Sequence, residues 1–391
     1  MLKFEIQILH KIIFYTTYLI NNFLIFCTIK SIYLFIKNHS CRIVDKVIFM
    51  GVLSIFVYLV VAALVVFLSV KLSDYVDLLD KKTNLSGALI GGILLAAVTS
   101  LPELFTSITS TIFLGNNSYV MGNILGSDIF NVTLFAIVYL VFFRKMVGTK
   151  VGKFHLLSML FIGLCYATVT VASFVFDFRN ILWGWFNPLS ILIVAIYAIS
   201  IWKTPKIDEG DEDETESDLT VKQIVIRFVI FAILLVGASI GITYVTDWVS
   251  SEFNLGATFG GALFLGVATS LPEMTSTINL CRKKNFDAAY GNILGSCVFN
   301  FFILAFADAL SFRSTTTMYH MDQSSFLLLV CGAFTMLVAI VGLLIQIFGT
   351  VKNKITYRIA FYTLAVLLLG SYVTFVALSG INLNIPFAPF E

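Results

Sequence analysis

Apolar residues run along this chain in long blocks, separated by short clusters rich in Lys, Arg, Asp, Asn and Gly. Blocks long enough to cross a bilayer, about 17–25 residues each, lie at 50–70, 86–113, 119–143, 154–176, 181–202, 222–246, 256–281, 287–311, 324–348 and 357–379. The pattern predicts ten core membrane-spanning helices. An eleventh apolar run lies at 12–36. A span there would leave Lys37, Arg42 and Lys46 on the side of the membrane poor in basic residues. Residues 1–49 are therefore read as a hydrophobic extension outside the ten-helix unit. Met50 stands directly before the first span and is compatible with a translation start. A cleaved signal peptide fits less well, because no small-residue cleavage site follows the apolar run.

Basic residues set the orientation. If residue 50 faces out, the inner loops carry seventeen Lys and Arg: Lys71, Lys81 and Lys82; Arg144, Lys145, Lys150 and Lys153; Lys203, Lys206, Lys222 and Arg227; Arg282, Lys283 and Lys284; Lys352, Lys354 and Arg358. The outer loops carry only Arg179 and Arg313. The C-terminus then faces out and the acidic stretch 207–218 (IDEGDEDETESD) faces in.

Composition removes the soluble alternatives. Of 391 residues, 59% are hydrophobic and 12% charged, and the net charge of +2 favours neither nucleic acid nor an acidic partner. Six Cys and four His show no CxxC or HExxH spacing, so zinc, haem and redox readings lack support.

The chain also repeats itself. Residues 84–110 (NLSGALIGGILLAAVTSLPELFTSITS) match 254–280 (NLGATFGGALFLGVATSLPEMTSTINL), and GNILGSDIFN from Gly122 matches GNILGSCVFN from Gly291. The offsets are 170 and 169. Each half holds five spans, and an odd number forces the second half to enter from the opposite side. Inverted repeats of this kind mark secondary transporters whose substrates bind near the midplane. The expected organisation is a first five-helix repeat at 50–202, an acidic cytoplasmic linker at 203–221, a second repeat at 222–379 and a tail at 380–391.

The repeated motifs carry cation chemistry. Pro102 and Pro272 lack a backbone donor and crowd the carbonyls of Val98 and Ala268, so each helix is expected to break or kink there. Freed carbonyls persist in hydrocarbon only where protein or a cavity covers them. Glu103 and Glu273 follow the prolines, with no Lys or Arg inside either span. A carboxylate there costs several kcal/mol unless it is paired, protonated or ion-bound, about 2.5–3.5 or more. Thr99, Ser100, Thr269 and Ser270 add hydroxyls and carbonyls beside the acids. Ser127 with Asn131, and Ser296 with Asn300, are four apart and share a helix face. These are hard oxygen donors, suited to Ca2+ and Na+. Ser and Asn in membrane helices also serve only to join helices, and both readings stand for Ser127 and Ser296. For Gly91, Gly92, Gly260 and Gly261 the expected role is close packing.

These two motifs closely resemble the alpha repeats of the calcium/cation antiporter superfamily, which includes the sodium/calcium exchangers and their prokaryotic relatives. The resemblance covers residues 50–379. It implies an inverted fold of ten helices in which the first helix of each half, here 50–70 and 222–246, slides to alternate access. It implies that Glu103, Glu273 and the carbonyls of Thr99 and Thr269 hold Ca2+. Na+ would use the same acids with Ser127, Ser296, the Thr99 and Thr269 hydroxyls and the carbonyls of Ala96 and Gly266. Asn131 and Asn300 would line the centre. Many potassium-dependent members have Asp where Asn300 stands, which argues against potassium cotransport here. Asp128 and Cys297 occupy a position that is commonly Asn. Asp128 is then either a proton or cation relay or a side chain facing a polar crevice.

The resemblance further implies a plasma-membrane antiporter, usually monomeric, with the lipid bilayer, Ca2+, Na+ and in one variant H+ as its partners. The expectation is Na+/Ca2+ exchange; the rivals are Ca2+/H+ exchange and a non-transporting sensor of the same fold. No catalytic residue and no cofactor are expected, the ions being cargo. An intramembrane protease also uses two acids, but neither glutamate sits in a YD or GxGD context. The acidic stretch 207–218 lacks the sixth-position Gly of an EF-hand and reads as a solvated linker.

Overall fold

The computed structural model describes residues 41–83, 97–146, 151–174, 187–203, 219–282, 284–311, 318–319, 321–348 and 354–379. The chain divides into two units, residues 1–56 and 57–391. The described part of the first, 41–56, is helical. The apolar runs become helices, and no strand forms among the described residues. Lipid offers the backbone no partners, and a helix satisfies its own. In the first half these are α1 (Cys41–Thr83), α2 (Leu101–Thr109, extended by a π-helical turn Ser110–Leu114), α3 (Asn117–Val141), α4 (Phe154–Phe174) and α5 (Pro188–Lys203). The second half has α6 (Val221–Glu252), α7 (Ala257–Gly260, a π-helical turn Gly261–Leu265, then Gly266–Arg282), α8 (Phe286–Leu310), α9 (Gln323–Phe348) and α10 (Lys354–Ser379). Seven of them, α1, α3, α4, α6, α8, α9 and α10, are long and apolar enough to cross a membrane. This is a polytopic, all-helical membrane protein built as two inverted sets of five.

Three expectations need correction or placement. The helix α1 starts at Cys41, and its stretch apolar enough to cross a membrane begins at Phe49, beside the limit expected at 49/50. The two prolines, where a break or kink is expected, are handled differently. Ser100 forms a turn with φ −91° and ψ 11°, so α2 starts afresh with Pro102 in its first turn, where a missing N–H is harmless. In contrast, α7 runs on through Pro272. Its irregularity lies upstream, in the π-helical turn ending at Leu265, whose carbonyl accepts from the Thr269 hydroxyl at 2.8 Å. The run 12–36, Gly91, Gly92, Ala96, Arg179, the stretch 207–218, Arg313 and the tail 380–391 lie outside the described residues.

The repeat is visible in the caps. Asn116 begins α3 by accepting from Ser118 N at 3.1 Å, and Asn285 begins α8 by accepting from Ala288 N at 3.2 Å. An Asn cap satisfies one of the N–H groups that a helix start leaves orphaned. Between the glutamate and the following GN motif, the first repeat carries one residue more than the second. The π-helical turn Ser110–Leu114, closed by left-handed Gly115 at φ 61°, lies in that interval and takes up an extra residue.

Buried apolar side chains form two separate clusters. The larger joins α3, α4, α5, α8, α9 and α10 through residues such as Ile124, Ile162, Ile193, Phe301, Leu328 and Phe375. The smaller joins α1 and α6 through Tyr58, Val65, Leu72, Leu235 and Ile242, together with Val98, Tyr119 and Leu265. Outward-facing Phe67, Ile233, Leu337 and Val366 are exposed, as a lipid-facing surface requires. The crossing of α3 and α7 is backbone on backbone. A Cβ on Gly126 would lie 2.5 Å from the Cα of Ala262, and one on Gly261 2.6 Å from the Tyr119 carbonyl oxygen. The packing role expected of Gly260 and Gly261 holds.

Candidate cation site

The TSLPE segments of α2 and α7 meet the GNILGS segments of α3 and α8 where the two repeats cross. Glu103, Glu273, Thr99, Ser100, Thr269, Ser270, Ser127, Ser296, Asn131 and Asn300 are all fully buried. Each glutamate is held by a serine of the other repeat. The Ser100 hydroxyl donates to Glu273 Oε1 at 2.8 Å, and the Ser270 hydroxyl donates to Glu103 Oε1 at 3.3 Å. Ser296 joins the first of these groups, 3.0 Å from Ser100 Oγ and 3.3 Å from Glu273 Oε1. Ser127 donates to the carbonyl of Gly266 at 3.3 Å.

Two asparagines that sequence reasoning did not single out fix the backbone under the acids. Asn123 Nδ2 donates to the Glu103 carbonyl at 3.3 Å and to Ser107 Oγ at 3.1 Å. Asn292 Nδ2 donates to the Glu273 carbonyl at 3.2 Å and to Thr277 Oγ1 at 2.9 Å. They are equivalent positions of the two GN motifs. Their identity at the same place in both repeats was the signal available.

What the network leaves open is the other side of the site. Glu103 Oε2 and Glu273 Oε2 are buried with no hydrogen-bond partner, as are both amide atoms of Asn131 and the Oδ1 of Asn300. Asp128 does not face a crevice: it is fully buried, and its Oδ1 accepts from Asn300 Nδ2 at 2.9 Å. No basic residue lies within α2, α3 or α8. Among the described residues no three His, Cys, Asp or Glu side chains gather as a metal cluster. A cation here would be met by two carboxylates, hydroxyls and carbonyls. Ala96 lies outside the described residues.

A family model described as sodium/calcium exchanger protein matches residues 47–203 and 223–380. An uncharacterized membrane protein of Methanocaldococcus jannaschii is 24% identical over 217 residues, which is 54% of this chain and 67% of that protein. Among solved structures, an H+/Ca2+ exchanger is similar with a TM-score of 0.60 at 14% identity, over 84% of this chain and 90% of that one. A sodium-calcium exchanger soaked with 10 mM Na+ and zero Ca2+ has a TM-score of 0.53 at 16% identity, over 84% of this chain and 99% of that one. At such identities the structural likeness speaks for the fold alone.

Proposed function

The chain belongs to the sodium/calcium exchanger family, and we propose that this cation antiporter exchanges Ca2+ for Na+ by alternating access at the glutamate pair. The observation that carries the reading is the crossed pair of bonds, Ser100 to Glu273 and Ser270 to Glu103. It turns one oxygen of each acid toward a serine and leaves the other, fully buried, with no partner. Two buried carboxylates without a basic partner are unstable in a membrane interior unless a bound cation or protonation neutralises them.

In this reading Ca2+ takes the carboxylates of Glu103 and Glu273 with the carbonyls of Thr99 and Thr269. Na+ uses the same acids with Ser127, Ser296, the threonine hydroxyls and the carbonyls of Gly266 and Ala96, while Asn131 and Asn300 line the centre. Ser100 and Ser270 orient the carboxylates. Either cargo cancels the buried charge, whereas the empty site carries −2. That charge penalises the change of access when nothing is bound, which enforces exchange over leak. The separate apolar cluster of α1 and α6 supports these two helices as the sliding layer. The repeats occupy 50–202 and 222–379, with the basic loops and the linker 203–221 in the cytoplasm and the C-terminus outside the plasma membrane.

The test is 45Ca2+ uptake by Na+-loaded proteoliposomes diluted into Na+-free buffer, with and without a pH gradient. Uptake that requires internal Na+ supports the reading. Uptake driven by the pH gradient and indifferent to Na+ replaces Na+ with H+ as the coupling ion. Uptake that no gradient drives leaves a sensor of the same fold.

A further inference from the structure

One cavity of the molecule takes no part in the cation site. It lies between α3, α8, α9 and α10 and holds about 570 Å3 of space, partly open to the outside. Small-molecule sites span about 300–1,000 Å3. Its walls are apolar, with Val132 and Phe135 of α3, Leu294 of α8, Val338 and Leu343 of α9 and Leu368 of α10 among them. The Tyr139 hydroxyl in the wall is taken by Gln346 Oε1. Water needs roughly two to four polar partners to stay in such a space, so the cavity is dry. It offers a cation no carboxylate or carboxamide.

The cavity backs onto the helices of the cation site. Val132 follows Asn131 on α3, and Ile293 and Leu294 belong to the GNILGS motif of α8. Toward the C-terminus of α3 the walls end in a layer of rings. Phe361 stacks on Tyr139 at 4.3 Å, and Phe143 meets Tyr139 at 6.1 Å and Phe361 at 6.4 Å. Three basic side chains stand at this end, each against a ring. The Arg358 guanidinium lies 6.0 Å from Phe143 and 5.4 Å from Tyr362, whose hydroxyl accepts from Arg358 Nη2 at 3.3 Å. Lys145 lies 5.8 Å from Phe142, and Lys153 lies 5.6 Å from Phe348. All three are exposed, and none forms an ion pair among the described residues. Asp287, at the start of α8, is engaged by His155 Nε2 and Gly152 N.

Apolar walls, a layer of rings and cations without counter-charge together describe a lipid with an anionic head. Aromatic rings gather at headgroup level, and basic pockets between membrane helices bind anionic headgroups. A neutral lipid would fill the space equally well and leave the three cations uncompensated, whereas a guanidinium grips phosphate with two parallel hydrogen bonds. We propose that this cavity holds an acyl chain of an anionic phospholipid whose phosphate is bound by Arg358, with Lys145 and Lys153 beside it. The lipid is a fixed wedge behind the two GNILGS helices and ties them to α9 and α10, whichever ion is exchanged against Ca2+.

The test is native mass spectrometry of the purified, delipidated full-length chain, titrated with dioleoyl phosphatidylglycerol or dioleoyl phosphatidylcholine. One phosphatidylglycerol per chain is expected to bind at least about tenfold more tightly than phosphatidylcholine. Arg358→Gln should narrow that preference about fivefold, the share of one basic residue near a membrane surface. Ala339→Phe and Ala136→Leu, which fill the cavity from α9 and from α3, should abolish the tight adduct while keeping the gel-filtration profile of the wild type. Arg358 is exposed, so its variant decides the matter even where a cavity variant misfolds. Equal binding of the two lipids by the wild type overturns the site. So does a preference unchanged in Arg358→Gln, or a tight adduct that survives in a folded cavity variant. Oleate that displaces phosphatidylglycerol at equal concentration would make the occupant a fatty acid and overturn it as well.

Discussion

At the scale of single residues, the site depends on which oxygen of each glutamate is occupied. A hydrogen bond to a charged group contributes about 1.5–3 kcal/mol, or roughly one to two orders of magnitude in an equilibrium constant. Ser100→Ala removes the 2.8 Å bond to Glu273 and is expected to weaken Ca2+ affinity at least tenfold in 45Ca2+ uptake. Ser270→Ala removes a 3.3 Å bond and should cost less. Equal effects would show that the two serines do not act through these bonds. Asn123→Ala and Asn292→Ala unpin the backbone carbonyls of the two acids. Both should depress the maximal rate, read as a lower initial uptake at saturating Ca2+.

The same residues show where sequence reasoning reached and where it stopped. Buried acids with no basic partner and repeated Ser and Asn at helical spacing were legible, because the costs that make them conspicuous are local. The exchange of serines between repeats was not. It depends on how α2 and α7 cross, and TSLPE reads the same whether each serine meets its own glutamate or the other one.

At the scale of elements, the apolar blocks were enough to foresee most helices, since lipid leaves the backbone little choice. The two π-helical turns and the unbroken path through Pro272 were not foreseen. Backbone strain at a proline is relieved wherever neighbours permit, and here the α3–α7 crossing decides. That crossing makes a sharp prediction. Gly126→Ala places a Cβ 2.5 Å from the Cα of Ala262, and backbone cannot step aside as a flexible side chain can. The expected destabilisation is about 1–3 kcal/mol, seen as a lower Tm in detergent. Gly163→Ala in α4 meets nothing within 4 Å and should leave Tm unchanged or raise it, since Ala favours helix over Gly by about 1 kcal/mol. A Tm for Gly126→Ala equal to that of Gly163→Ala would refute the close crossing.

At the scale of the whole molecule, an odd number of helices per repeat makes the two halves opposite in direction, and the split of basic residues, seventeen in one set of loops against two in the other, predicts which way round. That prediction is open to direct test. In a background with the native cysteines replaced, Thr215→Cys should react with an impermeant maleimide only after permeabilisation. Ser251→Cys, exposed at the end of α6, should react in intact cells. The reverse pattern would turn the protein over.

The central claim is that the repeats converge on one cation held between Glu103 and Glu273. Its most direct measurement is anomalous diffraction from crystals of this protein soaked in Sr2+ as a Ca2+ surrogate. The account predicts a single strong peak between Glu103 Oε2 and Glu273 Oε2, abolished in Glu103→Gln and in Glu273→Gln. A peak away from both carboxylates, or none at Sr2+ concentrations that support uptake, would contradict it.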